Sequence, residues 1–228
     1  MSKSIYLIGG SKGGVGKSTV SMALLDYLSD IGETPLLIET DTSNPDVAKA
    51  YGKEVPTKSI DLDKGDGWID FLNAVETHDG PVVVNGAARN NTGVSTYGGN
   101  LGSSLNDLKR TLVTLWVVNR QRDGLELLKQ YLEPLPQSEQ HKVFIIRNTY
   151  FGRPEQFELL AGSKLKASVE DHGGKVLDFP DLADRITDDI NNKRLSIAEA
   201  AKSSPIGNRA EINRWRSISK TMFGEIVK

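Results

Sequence analysis

One stretch, Gly10-Ser-Lys-Gly-Gly-Val-Gly-Lys-Ser-Thr19, constrains this chain more than any other. Together with Gly9 it sets five glycines (Gly9, Gly10, Gly13, Gly14 and Gly16) within eight residues. A short apolar run, residues 5–8, comes before it and reads as a buried strand. A helical pattern comes after it, over residues 17–31, with Val20, Ala23, Leu24, Tyr27, Leu28 and Ile31 at steps of three and four and Gly32 as a stop. Without a Cβ, successive glycine N–H groups can turn inward around an anion. The helix that starts there adds the positive end of its dipole. Strand, glycine turn and helix in that order make a phosphate cradle, and the alternative is a chance glycine-rich loop.

Gly10, Gly16, Lys17 and Ser18 satisfy the spacing G-x-x-x-x-G-K-[ST]. The chemistry of that motif assigns provisional roles. Gly13, Gly14, Val15 and Gly16 offer backbone to phosphate oxygens. Lys17 bridges the β- and γ-phosphates of ATP, Ser18 Oγ suits Mg²⁺, and Thr19 is placed to reach the α-phosphate.

The rest of the chain repeats the alternation of strand and helix. Strands are expected at 35–38, 59–62, 81–84, 112–118, 143–146 and 175–179. Helices are expected at 46–51, 68–75, 124–132, 155–169 with a break near Gly162, 181–190, 197–202 and 210–227. Residues 88–104 are nearly all small and polar and read as a loop too long for a routine connection. The strands are unbroken apolar runs, as in a parallel sheet covered on both faces. We therefore expect one α/β domain over residues 1–228, a doubly wound, mostly parallel sheet of the P-loop NTPase class.

Composition removes other chemistries. There is no cysteine, so disulfides, thiolate metal sites and cysteine nucleophiles are excluded, and the three histidines have no metal spacing. The net charge of −2 argues against a constitutively basic nucleic-acid binder. No apolar run nears the length of a membrane span, and the residues before Ile5 are too few for a signal peptide, so a cytoplasmic location is expected.

Lys12 makes the motif narrower. The pattern K-G-G-x-G-K-[ST] resembles the deviant Walker A motif of the ParA/MinD family, which includes partition ATPases, the division-site selector MinD and the nitrogenase iron protein. The resemblance implies that Lys12 reaches across an ATP-dependent homodimer to the partner's nucleotide, where its charge offsets the charge building on the β–γ bridging oxygen. A solvated loop lysine is the plainer alternative. Size and layout look most like plasmid stability and mobilisation ATPases of the StbB type.

Other positions follow the family. Glu39-Thr-Asp41-Thr-Ser-Asn-Pro45 looks like its D-x-D-x-x-x-P switch, with Glu39 in place of the first acid. Asp41 would orient the attacking water and lie near Mg²⁺; otherwise it is a turn or helix-capping residue. Asn85 stands where the family's Walker B Asp holds Mg²⁺ through water, which implies slow, Mg²⁺-dependent hydrolysis. The segment after Gly86 takes the place of switch II. Asn148 matches a base-contacting Asn, with a turn residue as the alternative. The backbone near Pro180 would close the adenine pocket.

The resemblance implies a switch in plasmid maintenance, DNA positioning or conjugation, with a DNA-binding or relaxase-type partner. A non-hydrolysing ATP-binding adaptor and a dethiobiotin-synthetase-like ligase are the alternatives. Arg120, Arg122, Arg147 and Arg153 follow strand ends and suit DNA, a partner's phosphates or solvent. Ile212, Trp215, Ile218, Met222 and Ile226 form a terminal stripe. We expect it to pack on the domain and not to lie on a partner or a membrane.

Overall fold

The computed structural model describes residues 3–10, 13–87, 91–135 and 138–227. Seven strands form one sheet: β1 (Ile5–Gly10), β2 (Leu36–Glu39), β3 (Thr57–Ser59), β4 (Val82–Asn85), β5 (Leu112–Val118), β6 (His141–Asn148) and β7 (Lys175–Phe179). Their order is β3-β2-β4-β1-β5-β6-β7, and every pairing is parallel. The expected doubly wound parallel sheet is therefore the observed one. The helices are α1 (Lys17–Asp30), α2 (Asp46–Tyr51), α3 (Gly65–Thr77), α4 (Asn91–Leu108), α5 (Asp123–Leu132), α6 (Glu158–Ala161), α7 (Lys164–Asp171), α8 (Asp184–Lys193), α9 (Ile197–Ser203) and α10 (Ile206–Gly224).

Alternation along the strands feeds two cores. Tyr6, Ile8, Leu37, Val83, Val117 and Ile146 point into a cluster with α1, α9 and α10. Ile5, Leu7, Ile38, Val84, Trp116 and Ile145 point into the opposite cluster with α3, α4 and α5. Both faces are covered, so neither face of a strand needs polar residues. The central strand β1 lies between β4 and β5, where the chain order reverses, and its C-terminal end opens into a crevice.

Residues 91–108 correct the expected loop. They form α4, with Val94, Leu101 and Leu105 buried at helical spacing. Glycine, serine and asparagine hide that stripe because their helix propensity is low. Two of its glycines allow close packing. A Cβ on Gly93 would collide with the carbonyl of Leu62, and one on Gly98 would meet Leu135 Cδ2 at 3.2 Å. Packing against α3 and α5 overrides propensity. The first three residues of the expected loop, 88–90, lie outside the described residues.

Smaller corrections follow the same physics. The third strand is Thr57–Ser59 and not 59–62, because Ile60 and Leu62 are buried from the loop that follows it. The helix expected at 155–169 does break at Gly162, as expected, between α6 and α7, with Ser163 capping α7 through the Lys166 N–H; the correction is at its start, which is a 3₁₀ turn. Arg147 is not part of a free basic edge. Its guanidinium grips Asp178 at 2.7 and 3.0 Å, tying β6 to β7.

The terminal helix packs on the domain, as expected. Ile212, Trp215, Met222 and Phe223 are buried, as is Ile226 just beyond it, whereas Ile218 is 42% exposed and lies off the stripe. Arg216 pins α10 to Asp26 of α1. Among the described residues, no helix is long and apolar enough to cross a membrane.

Two buried phenols give the fold a pH signature. Burial raises Tyr51 well above its ordinary value and raises Tyr131 as well. Both stay neutral in the fold but ionise near pH 10 when the chain unfolds. The stability they contribute is complete below about pH 10 and is lost as pH rises through their folded values. Unfolding free energies measured from pH 9 to 11.5 should fall steeply above pH 10, by up to about 1.4 kcal/mol per pH unit for each phenol.

Candidate nucleotide-binding site

The glycine turn sits at the C-terminal end of the central strand. Gly16 is the residue before α1, with φ of +103°, and Gly14 has φ of +80°, a region that favours glycine. Among the described residues no side chain caps α1 and no acid lies in its first turn, and its N-terminal dipole faces the crevice. Gly16 also lies against Asn148, where a Cβ would strike Nδ2.

The crevice has two parts. One is a cleft of about 570 Å³ lined by Gly13, Gly14, Gly16, Lys17, Ser18, Thr19, Asp41 and Asn85, with Gly86 and Ala87 beside them. The other, of about 400 Å³, shares Gly14, Gly16 and Thr19 and continues to Asn148, Phe179, Pro180 and Leu182. Sequence positions from 13 to 180 thus converge on one trough. Val15 is the exception, since its side chain is buried in the core and its carbonyl accepts from Asn148 Nδ2 at 3.0 Å. Lys12 lies outside the described residues.

The phosphate end is electrostatically tuned. Lys17 is 8% exposed, and burial lowers its ammonium below the ordinary lysine value while Asp41 pulls it back up. A desolvated ammonium gains much when an anion arrives. Asp41 Oδ1 accepts from the backbone N–H groups of Ser43 and Asn44 at 3.2 and 3.0 Å, so the turn role weighed for it is present. These bonds hold the carboxylate at the rim of the cleft. Asn85 lines the cleft with one N–H and one lone pair of its amide already used. Its Oδ1 accepts from Ser21 Oγ and its Nδ2 donates to Glu39 Oε1, both at 2.9 Å.

The donor set fits magnesium held jointly with a nucleotide. Ser18, Asp41 and Asn85 offer hard oxygens on one cleft. Among the described residues, no cluster of three acids or histidines could hold a metal alone. Magnesium usually takes a few protein oxygens, substrate phosphates and water, which is what this cleft could provide.

At the other end, Asn148 is buried and its amide is used at both ends. Nδ2 donates to Val15 O, and Oδ1 accepts from the Tyr150 N–H at 3.1 Å. One N–H and one lone pair remain for a base. The Pro180 carbonyl accepts from Trp215 Nε1 at 2.8 Å, and Trp215 stacks edge-on against Phe179 at 5.5 Å. The terminal helix therefore shapes the end of the trough that Asn148 lines.

Sequence reasoning missed several residues of the trough, Tyr150 and Arg194 among them. Tyr150, 56% exposed, lines the base end beside Asn148. Arg194 lines the phosphate cleft from the C-terminal cap of α8, in a left-handed conformation (φ 53°) unusual for arginine. Tyr150 was legible as an aromatic two residues past Asn148. Nothing in the sequence marks Arg194.

Comparison with known proteins decides the family. Residues 6–153 match the CobQ/CobB/MinD/ParA nucleotide binding domain. The chain belongs to this family. Protein MobD of Acidithiobacillus ferrooxidans is 56% identical over all of this chain and 99% of its own length. A putative plasmid partition protein of Borrelia burgdorferi, bound to AMPPNP, shares the fold at TM-score 0.61 and 13% identity, over 98% of this chain and 99% of that one. MinD of Aquifex aeolicus does so at TM-score 0.51 and 16% identity, over 97% of each chain. The CobQ/CobB/MinD/ParA assignment bears out the resemblance read from Lys12 to Pro45, and the trough lies where a doubly wound sheet binds its ligand.

Proposed function

We propose that this chain is an ATP-dependent dimerisation switch with slow ATPase activity, acting in plasmid mobilisation or maintenance. The observation that carries the reading is the two-part trough, with Lys17, Ser18 and Asp41 at one end and Asn148 and Pro180 at the other. That shape suits a triphosphate and its base. The MobD relative, similar along its whole length, supplies the mobilisation context.

In this reading residues 1–228 act as one nucleotide-binding domain. Gly13, Gly14, Val15, Gly16 and Thr19 hold phosphates with their backbone or hydroxyl. Lys17 stabilises charge on the β- and γ-phosphates, Asp41 orients water, and Asn148 with the Pro180 backbone holds adenine. Ser18, with Asp41 and Asn85, would hold Mg²⁺, which supplies charge neutralisation of the phosphates when bound. Lys12 of one copy reaches the nucleotide of the other. Slow chemistry then times the lifetime of the dimer.

The exposed Arg120, Arg122 and Arg153 remain a basic edge for DNA or for a relaxase-type partner. Work in the cytoplasm accords with this role.

Asn85 favours a second reading, a non-hydrolysing ATP-binding adaptor, because an amide lacks the charge of an aspartate. Single-turnover assays with radiolabelled ATP and Mg²⁺, with and without DNA and mobilisation proteins, separate the two. Slow phosphate release that vanishes in Asp41→Ala is expected. Tight ATP binding with no release under any condition would favour the adaptor.

A further inference from the structure

Glu39 is 0% exposed, yet the chemistry proposed above gives it no task. It ends β2 directly opposite Asn85 at the end of β4. Its Oε1 accepts from Asn85 Nδ2 at 2.9 Å and from the Asp41 N–H at 3.1 Å. Its Oε2 accepts from the Ala48 N–H in α2 at 3.4 Å. One carboxylate thus touches the amide in the cleft wall, the backbone of the acid at the rim and the helix that follows it.

A buried carboxylate is costly unless a positive charge compensates it. Among the described residues, the charge acting on Glu39 is Asp41, which has the same sign. Asn85, the side chain between Glu39 and the cleft, is neutral and lines the phosphate end. Lys17 lies in the same cleft and interacts with Asp41, but among the described residues no cation contacts Glu39 itself. A divalent ion arriving with a nucleotide would supply one, and in a water-poor site its attraction to a carboxylate one residue back is only partly weakened by distance.

We propose that Glu39 is a positioning residue for the phosphate cleft, fixing the Asn85 amide and the Asp41 backbone in one geometry and supplying the negative charge that draws Mg²⁺ in with the nucleotide. This rests on the nucleotide reading above and deepens it. The charge of the site sits on β2, behind Asn85, and not on β4. Charge and geometry can be separated. Glu39→Gln keeps an oxygen to accept from Asp41 and Asn85 but removes the charge. Asn85→Asp sets a second carboxylate against the first, where one hydrogen bond stood. The double variant Glu39→Gln/Asn85→Asp moves the charge from one strand to its neighbour.

The test measures binding of a non-hydrolysable ATP analogue by calorimetry at stepped Mg²⁺ concentrations, together with thermal midpoints without nucleotide or metal. Glu39→Gln should melt no lower than the parent but need about fivefold more Mg²⁺ for half-maximal analogue binding. Asn85→Asp should melt lower and gain no Mg²⁺ sensitivity, because like charges meet in a buried site. The double variant should return both readouts to within about twofold of the parent. A Glu39→Gln protein with the parent's Mg²⁺ requirement overturns this inference alone, as does an Asn85→Asp protein that takes up Mg²⁺ more tightly at an unchanged midpoint. A parent that binds no analogue at any Mg²⁺ concentration overturns the nucleotide reading itself.

Discussion

A Gly16→Ala variant binds ADP and non-hydrolysable ATP analogues at least about 100-fold more weakly than the parent, and it loses about 1–3 kcal/mol of stability. Two independent observations meet at this residue. Its φ of +103° lies outside the region that alanine adopts without strain. Its missing Cβ leaves room for Asn148 Nδ2, which in turn holds the Val15 carbonyl. Adding one methyl therefore displaces the phosphate loop and the base-end amide together. A shift near 1 Å at a preorganised site is enough for a loss of this size. Gly13→Ala is the control. A Cβ there meets nothing within 4 Å, so its thermal midpoint stays near the parent's. Isothermal titration and thermal melting of both variants check the pair of expectations.

Arg216→Ala costs about 3–5 kcal/mol and weakens the base end more than the phosphate end. The Asp26 side chain is 5% exposed, and Arg216, itself 19% exposed, binds both its oxygens at 2.8 and 2.9 Å. Removing the guanidinium strands a buried carboxylate, which is far worse than losing an exposed ion pair. The neighbouring Lys220–Asp30 contact is more open and contributes much less. Because α10 also carries Trp215, which holds the Pro180 carbonyl, its loosening reaches the nucleoside pocket. Affinity for ADP should fall severalfold while affinity for pyrophosphate holds. The double variant Asp26→Leu/Arg216→Met should recover most of the stability, since apolar pairs often replace buried ion pairs without loss.

The phosphate cradle was legible because all its parts lie in one stretch of ten residues, from Gly10 to Thr19. The strand ends were legible too, because unbroken apolar runs in a parallel sheet stop where the ligand crevice begins, at Asn85, Asn148 and Phe179. Helix α4 was not. Its buried stripe of Val94, Leu101 and Leu105 is interleaved with glycines, of which Gly93 and Gly98 make close approaches, to Leu62 and Leu135, that exist only in the folded chain. Arg147 looked like part of a basic edge until strand pairing set it beside Asp178. The Glu39–Asn85 contact is of the same kind. The residues are 46 positions apart, and the register of β2 on β4 brings them together. Local chemistry shows in sequence, whereas contacts made by register and by helix packing do not.

The claim at the centre of this account is that ATP pairs two copies of the chain. Size-exclusion chromatography with light scattering, run with Mg²⁺ and either ADP or a non-hydrolysable ATP analogue, measures it directly. The account predicts a monomer near 25 kDa with ADP and a dimer of about twice that mass with the analogue, reverting to monomer in Lys12→Ala. A single monomeric species in both nucleotide states, at concentrations where the analogue is bound, would contradict it.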